Sequence, residues 1–171
     1  MILLLLAILL LVPSFSGCLS IHSIKESLLY QRAEPDVVYW KTTVIEEYWE
    51  ASQVFPADTL SKTPTFRVKD GAKWINLKYD VDLPSSLIGQ REIANITFYF
   101  NPEVTLRLRT PDNSVFWERN VTEGESDSFR ILGPAPGIWT LRIEATGYGG
   151  ELLGMEARDK LRVVVDLYEP K

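Results

Sequence analysis

The sequence predicts an all-β protein: an antiparallel β-sandwich, jelly-roll-like, of about eight or nine strands, preceded by an N-terminal hydrophobic signal or anchor segment. Three observations point there. From Val37 to the C-terminus, apolar and polar side chains alternate with period two, which turns one side of each strand to a core and the other to water. Turn-forming clusters punctuate the chain roughly every 8–12 residues, as in sandwiches. No sustained helical periodicity follows Val37. The predicted organisation is residues 1–17 as signal peptide, 18–36 as lipid-attached tether and 37–171 as sandwich.

The first element is an address. Ile2 to Val12 is a run of eleven uncharged apolar residues. A spanning helix needs roughly 20, so the run has the length of a signal-peptide core. Pro13 opposes helix continuation, and Ser14, Ser16 and Gly17 supply small residues before Cys18, the only cysteine. Phe15-Ser16-Gly17-Cys18 resembles the lipobox of prokaryotic lipoproteins, bacterial or archaeal. Phe15 stands where Leu is usual, and no Lys or Arg precedes the apolar run. The resemblance implies cleavage before Cys18 and lipidation of its thiol. One chain gives marginal binding at about 0.8 kcal/mol per buried methylene, so stable anchoring needs two. An uncleaved helix over residues 2–19 and ordinary secretion are the competing readings. The lipoprotein and uncleaved-helix readings both place the folded body on the outer face of the membrane.

Residues 19–36 read as a short helix or a spacer ended by Pro35. Val38 to Ile45 is rich in β-branched and aromatic residues and predicts a strand. Glu46 to Glu50 either continues it or turns. Thr65–Val68 is a strand, and Asp70-Gly71 a turn. Ile75, Leu77, Tyr79, Val81 and Leu83 alternate with polar residues in the clearest strand. Pro84 to Arg91 reads as a loop, and Ile96 to Phe100, apolar on both faces, as a central strand. Val104, Leu106 and Leu108 mark another strand, which Thr110-Pro111-Asp112-Asn113 turns back into Val115–Val121 as a hairpin. Ser128–Leu132 is short. Trp139, Leu141, Ile143 and Ala145 are the inward side of the next strand. Gly147-Tyr148-Gly149-Gly150 reads as a flexible loop before Leu161, Val163, Val165 and Leu167.

Composition narrows function. The net charge of −5 argues against nucleic acid, which needs a basic surplus. A lone cysteine allows no internal disulfide, so packing alone must hold the body. The only histidine, His22, lies in the tether, so neither a Ser-His-Asp site nor a histidine-bearing zinc site is expected in the sandwich, and no catalytic residue is assigned. Asp80 and Asp82 share one polar strand face, and Asp58, Asp70, Asp112, Asp127 and Asp159 fall in expected loops. Such carboxylates read as a solvated face, as a calcium site (Asp80, Asp82 and Asp112 are the candidates), or as a catalytic pair. No other cofactor is expected. Of five tryptophans, Trp117 and Trp139 read as core, while Trp74, Trp40 and Trp49 are candidate ligand contacts. Asn95 and Asn120 begin glycosylation sequons.

Val104 to Asn113, Phe129 to Pro134 and Pro136-Gly137-Ile138-Trp139-Thr140-Leu141-Arg142-Ile143 together resemble the jelly-roll domains that follow secreted proteases: the proprotein-convertase P-domain and the bacterial pre-peptidase C-terminal domain. The resemblance spans roughly residues 65–168 and rests on a strand, a Pro-Asp turn and a later Pro-Gly-x-Trp-x-Leu strand. It implies a non-catalytic domain that stabilises, tethers or binds glycans or proteins, many such domains carrying calcium. A maturation role is not expected to carry over. The expected function is a non-enzymatic, membrane-anchored, extracytoplasmic module that binds or positions another envelope component, protein or glycan. The alternatives are a carbohydrate- or calcium-binding domain for substrate capture and a structural subunit of a surface layer or filament.

Overall fold

The computed structural model describes residues 38–93, 95–152 and 155–170. The signal, lipid-attachment and tether assignments at residues 1–37, Cys18 included, lie outside them. Among the described residues the protein is all-β, with strands and one short 3-10 turn, Pro84–Leu87.

Two antiparallel sheets carry the core. The first, sheet A, has four strands: β1 (Tyr39–Glu50), β13 (Lys160–Pro170), β4 (Trp74–Asp82) and β9 (Glu125–Leu132), in that order. Sheet B has the order β2 (Asp58–Lys62), β10 (Gly137–Gly147), β7 (Glu103–Arg109) and β8 (Val115–Val121), with β3 (Thr65–Val68) beside β10 as well. Two hairpins stand apart: β5 (Gln90–Ile93) with β6 (Ile96–Tyr99), and β11 (Gly149–Leu152) with β12 (Met155–Arg158).

The alternation read from the sequence becomes the core. Ile75, Leu77, Tyr79, Val81, Val104, Leu106, Leu108, Trp139, Leu141, Ile143, Ala145, Leu161, Val163, Val165 and Leu167 are all buried in one cluster shared by both sheets. At about 1.5–3 kcal/mol per fully buried large side chain, this burial is the main favourable contribution in the absence of cross-links. The pairing is nested. The β7–β8 hairpin is innermost, β4 pairs β9 outside it, β10 pairs β2 and β3 outside that, and β1 pairs β13 outermost.

Strands β2 and β3 act as one interrupted edge strand. Ile143 faces Lys62 and Thr140 faces Thr65, so no residue is inserted between them. The break falls at Pro64, which has no N–H; its carbonyl still accepts from the Leu141 N–H at 2.9 Å. Proline is tolerated there because the strand lies at an edge. Sequence pattern missed β2, a short polar strand with Leu60 as its one apolar residue.

Several expectations need correction, beginning with the strand number: thirteen strands form among the described residues, where about eight or nine were expected. Ile96 to Phe100 is not a central strand. It belongs to the β5–β6 hairpin, and its apolar Phe98 and Phe100 pack into a satellite core with Val54, Ile88, Tyr148 and Ala157. The Pro84–Arg91 segment contains the 3-10 turn and the start of β5 rather than only loop. Gly147 to Gly150 is not a free loop either. Gly147 ends β10, and Gly149 begins β11 with its N–H bonded to the Gln53 carbonyl at 2.9 Å.

Asp159 ties this end together and is not a solvated loop carboxylate. It is fully buried. It accepts the Ser85 N–H at 3.0 Å, the Ser85 hydroxyl at 2.5 Å and the Tyr148 N–H at 2.8 Å. Three donors satisfy the oxygens of a side chain that no water can reach.

A Cβ on Gly149 would sit 1.8 Å from the Ala51 carbonyl oxygen, which is backbone and cannot swing away. Gly149→Ala should therefore lower stability by about 1–3 kcal/mol or more, as overpacking does. Urea denaturation measures this, and an unchanged midpoint would contradict the close approach of these two backbones.

Candidate functional site

The outer face of sheet A holds the most built polar site. Val165 and Leu167 of β13 point into the core, so Asp166 between them points outward. Its side chain is nevertheless 0% exposed. Its neighbours across the sheet are Thr43 on β1 and Asn76 on β4. The Thr43 hydroxyl donates to Oδ1 at 2.8 Å. Lys41 Nζ lies 3.0 Å and Lys78 Nζ 3.4 Å from Oδ2. Burial alone would push this carboxyl up. The hydrogen bonds and charge from Lys41, with Thr43 and Lys78, outweigh it and hold Asp166 below the ordinary carboxylate range. The same contact raises the Lys41 ammonium.

Around this pair of ammoniums runs an open groove of about 630 Å³, with Glu46, Asp80, Asp127, Ser126, Ser128 and Arg162 among its lining residues. Arg162 is bonded to Glu46 at 2.8 Å. The groove thus presents both signs of charge and hydroxyls on a rigid sheet. That surface suits a polar, hydrogen-bonding partner. The sequence carries one signal for it: an aspartate inside the apolar run Val163-Val164-Val165-Asp166-Leu167.

Beside the groove lies an aromatic row. Trp74 pairs with Tyr168 on one side and Leu132 on the other. Its ring lies 4.7 Å from Tyr168 and stacks on Tyr39 at 6.3 Å. Lys73 Nζ sits 4.5 Å from the Tyr39 ring centre and 5.0 Å from that of Trp74, and the Arg130 guanidinium 4.8 Å from Trp74. The Trp74 faces are therefore covered by neighbours, and its indole N–H is buried without an acceptor.

The remaining candidates separate. Trp40 is 55% exposed. Trp49 packs against the core, because a bulge between Thr43 and Ile45 reverses which side chains of β1 face inward. Trp139 is buried, its Nε1 donating to the Ala135 carbonyl at 2.8 Å, and Trp117 is half-buried between Tyr79 and Phe129. Among the described residues no three His, Cys, Asp or Glu side chains converge as a metal site. Asp80 and Asp82 project from β4 of sheet A, whereas Asp112 lies in the β7–β8 turn of sheet B. There it accepts from Thr110 and Ser114, which hold its carboxyl down at about 2. Asn95 occupies the β5–β6 turn with φ of 62°, a conformation asparagine tolerates. Asn120 lies within β8, bonded to Glu103 at 2.7 Å.

Two predictions follow from these contacts. Asp112 and Asp166 both have folded-state carboxyls below the unfolded value of 3.8. Each contribution is complete above that value and is lost as pH falls through the lowered folded-state value, which for Asp112 is about 2. Stability should decline over this window, and Asp166→Asn should make the decline shallower while lowering stability at neutral pH; an identical acid profile for the variant would contradict the assignment. Trp74→Phe keeps the stack and removes a buried unpaired donor. It should be less destabilising than Trp74→Ala by about 2 kcal/mol in thermal or urea unfolding.

No protein-family model matches the chain, and no curated protein sequence matches it. Solved structures similar to it include the VP2 subviral particle of infectious bursal disease virus, at 9% identity and a TM-score of 0.35, covering 78% of this chain and 32% of that one. A disulfide-linked pilus protein of Bacillus endospore appendages is similar at 10% identity and 0.33, covering 77% and 91%. The glycosylation-associated Gap123 complex of Streptococcus agalactiae is similar at 10% and 0.32, covering 74% and 44%. The chain thus spans about a third of the length of the viral protein.

Proposed function

We propose that this protein is a non-enzymatic, membrane-anchored module outside the cytoplasm, which binds or positions another envelope component through the outer face of sheet A. The observation that carries the reading is the groove over Asp166. A carboxylate buried on the outward side of a sheet, between two half-exposed lysines, is an arrangement a merely solvated face does not need. The described residues contain no histidine or cysteine, which fits binding better than acid–base or nucleophilic chemistry. The nested strand pairing supports a jelly-roll-like scaffold, in keeping with the resemblance to P-domains and pre-peptidase C-terminal domains. The anchor follows from the Phe15-Ser16-Gly17-Cys18 motif.

Capture of a carbohydrate is the second reading. Its support is the exposed ring of Trp40, since Trp74 is already covered. A calcium role would draw on Asp80 and Asp82, and a filament role on the open edges of β1, β9, β2 and β8.

The test is co-purification of the full chain from gently solubilised membranes, with a variant carrying Asp127→Lys and Arg162→Glu on the groove walls. Both side chains are exposed, so folding should survive. A stoichiometric partner kept by the unaltered protein and lost by the variant is the expected result. A lone monomer, or a partner held equally by both, would overturn the assignment of the groove.

A further inference from the structure

The end of sheet A at which β1 begins has a composition unlike the rest of the molecule. Residues 38–41, 69–74, 130–133 and 168–170 meet there, joined by the Tyr39–Pro170, Tyr168–Trp74 and Trp74–Leu132 pairs. The Lys73 N–H donates to the Tyr168 carbonyl, and the Gly133 N–H to that of Lys73. Lys41 is paired there with Asp166 and Lys69 with Glu169, which leaves Lys73 and Arg130 against Asp70 alone, in a chain whose net charge is −5. Val38, Trp40 and Leu132 are exposed there, Leu132 at 72%. Leu132 shares the outer face of the sheet with the rings of Tyr39, Trp74 and Tyr168, over which Lys73 and Arg130 are laid, while Trp40 leaves the other face of β1 at the same end and Val38 precedes that strand. Exposed apolar side chains, amphipathic aromatics and long cations in one rim are what a lipid–water interface favours. The apolar parts leave water while the charged heads meet headgroups.

We propose that this end of the sandwich rests on an anionic lipid surface, Trp40, Val38 and Leu132 entering the interfacial layer while Lys73 and Arg130 pair with headgroups. β1 is the first strand of the sandwich, so this rim is where the chain enters it, after the apolar run and Cys18 in sequence. The inference rests on the anchoring reading. It adds that the folded domain itself touches lipid.

The test reconstitutes the full chain, isolated from membranes, into vesicles of equal parts phosphatidylcholine and phosphatidylglycerol, with and without bromine on the acyl chains. Flotation reports anchoring, and tryptophan quenching by bromine reports contact. The expected result is a floating protein whose emission is quenched, with most of that quenching lost in Trp40→Ser and reduced in Lys73→Glu/Arg130→Glu, while both variants still float. A protein that floats but is not quenched overturns the lipid contact alone. One that does not float overturns the anchoring reading and this inference with it. Quenching that survives Trp40→Ser unchanged also overturns the proposal, because the contact then lies elsewhere.

Discussion

One register holds the molecule together. Every second side chain of β4, β7, β10 and β13 must meet the opposite sheet, and a slip of one residue would turn the whole apolar set to water. The single cysteine allows no internal disulfide, so among the described residues this burial is the main tie between the sheets. The edges show how the register is defended. On one side Trp117 fills the space between Tyr79 and Phe129. Below it Arg119 grips Glu125 through two bonds of 2.9 and 2.7 Å, and Glu125 accepts the Tyr79 hydroxyl. Burial first, and then this hydrogen bond, push the Tyr79 phenol up to about 12, so it remains a donor throughout the physiological range. On the other side a bulge in β1 turns Glu47 inward, where it meets Lys62 of β2.

That bulge also marks the limit of what a sequence pattern can convey. The strands of strict alternation were readable residue by residue, because β4, β7, β10 and β13 each have one wet face and one dry face. The orientation of Trp49 was not readable. Counting by two from Lys41 and Thr43 puts it outside, and a single extra residue, Val44, moves it inside. Ile96 to Phe100 misled for another reason. An unbroken apolar run signals burial on two sides but not by what, and here the cover is a satellite core under two hairpins rather than the sheets themselves. Likewise, Gly147-Tyr148-Gly149-Gly150 has the composition of a loop, yet Gly149 is there because the Ala51 backbone passes too close for any side chain.

The candidate site was legible only in part, and the reason lies in the same periodicity. Asp80, Asp82 and Trp74 were visible as polar-face residues of β4. Asp166 was visible only as an aspartate within an apolar run, an outward residue of β13 by alternation, and it is the pairing that shows Thr43, Lys41 and Lys78 closing over it. A buried ion pair is weak evidence for stability, because desolvation offsets much of the attraction. Here the lysines stay half in water, which reduces that penalty and leaves their remaining hydrogen-bonding capacity directed outward. The groove is therefore better understood as a positioned set of donors and acceptors than as a structural brace.

The proposed contact between an acidic protein and an anionic surface calls for an electrostatic argument. Net charge governs interaction at long range, but salt screens exposed charges beyond about 8–10 Å. At the rim where β1 begins, the local charges of Lys41, Lys69, Lys73 and Arg130 and of their acidic neighbours Asp70, Asp166 and Glu169 matter more than the chain average. Not all four cations are equal there. Lys41 is held by Asp166, and Lys69 lies 3.1 Å from Glu169, so each is locally neutralised. Lys73 and Arg130 lean on aromatic rings, which orient a cation without cancelling its charge. Those two carry the field of the rim, and the ring stack of Tyr39, Trp74 and Tyr168 is what aims it.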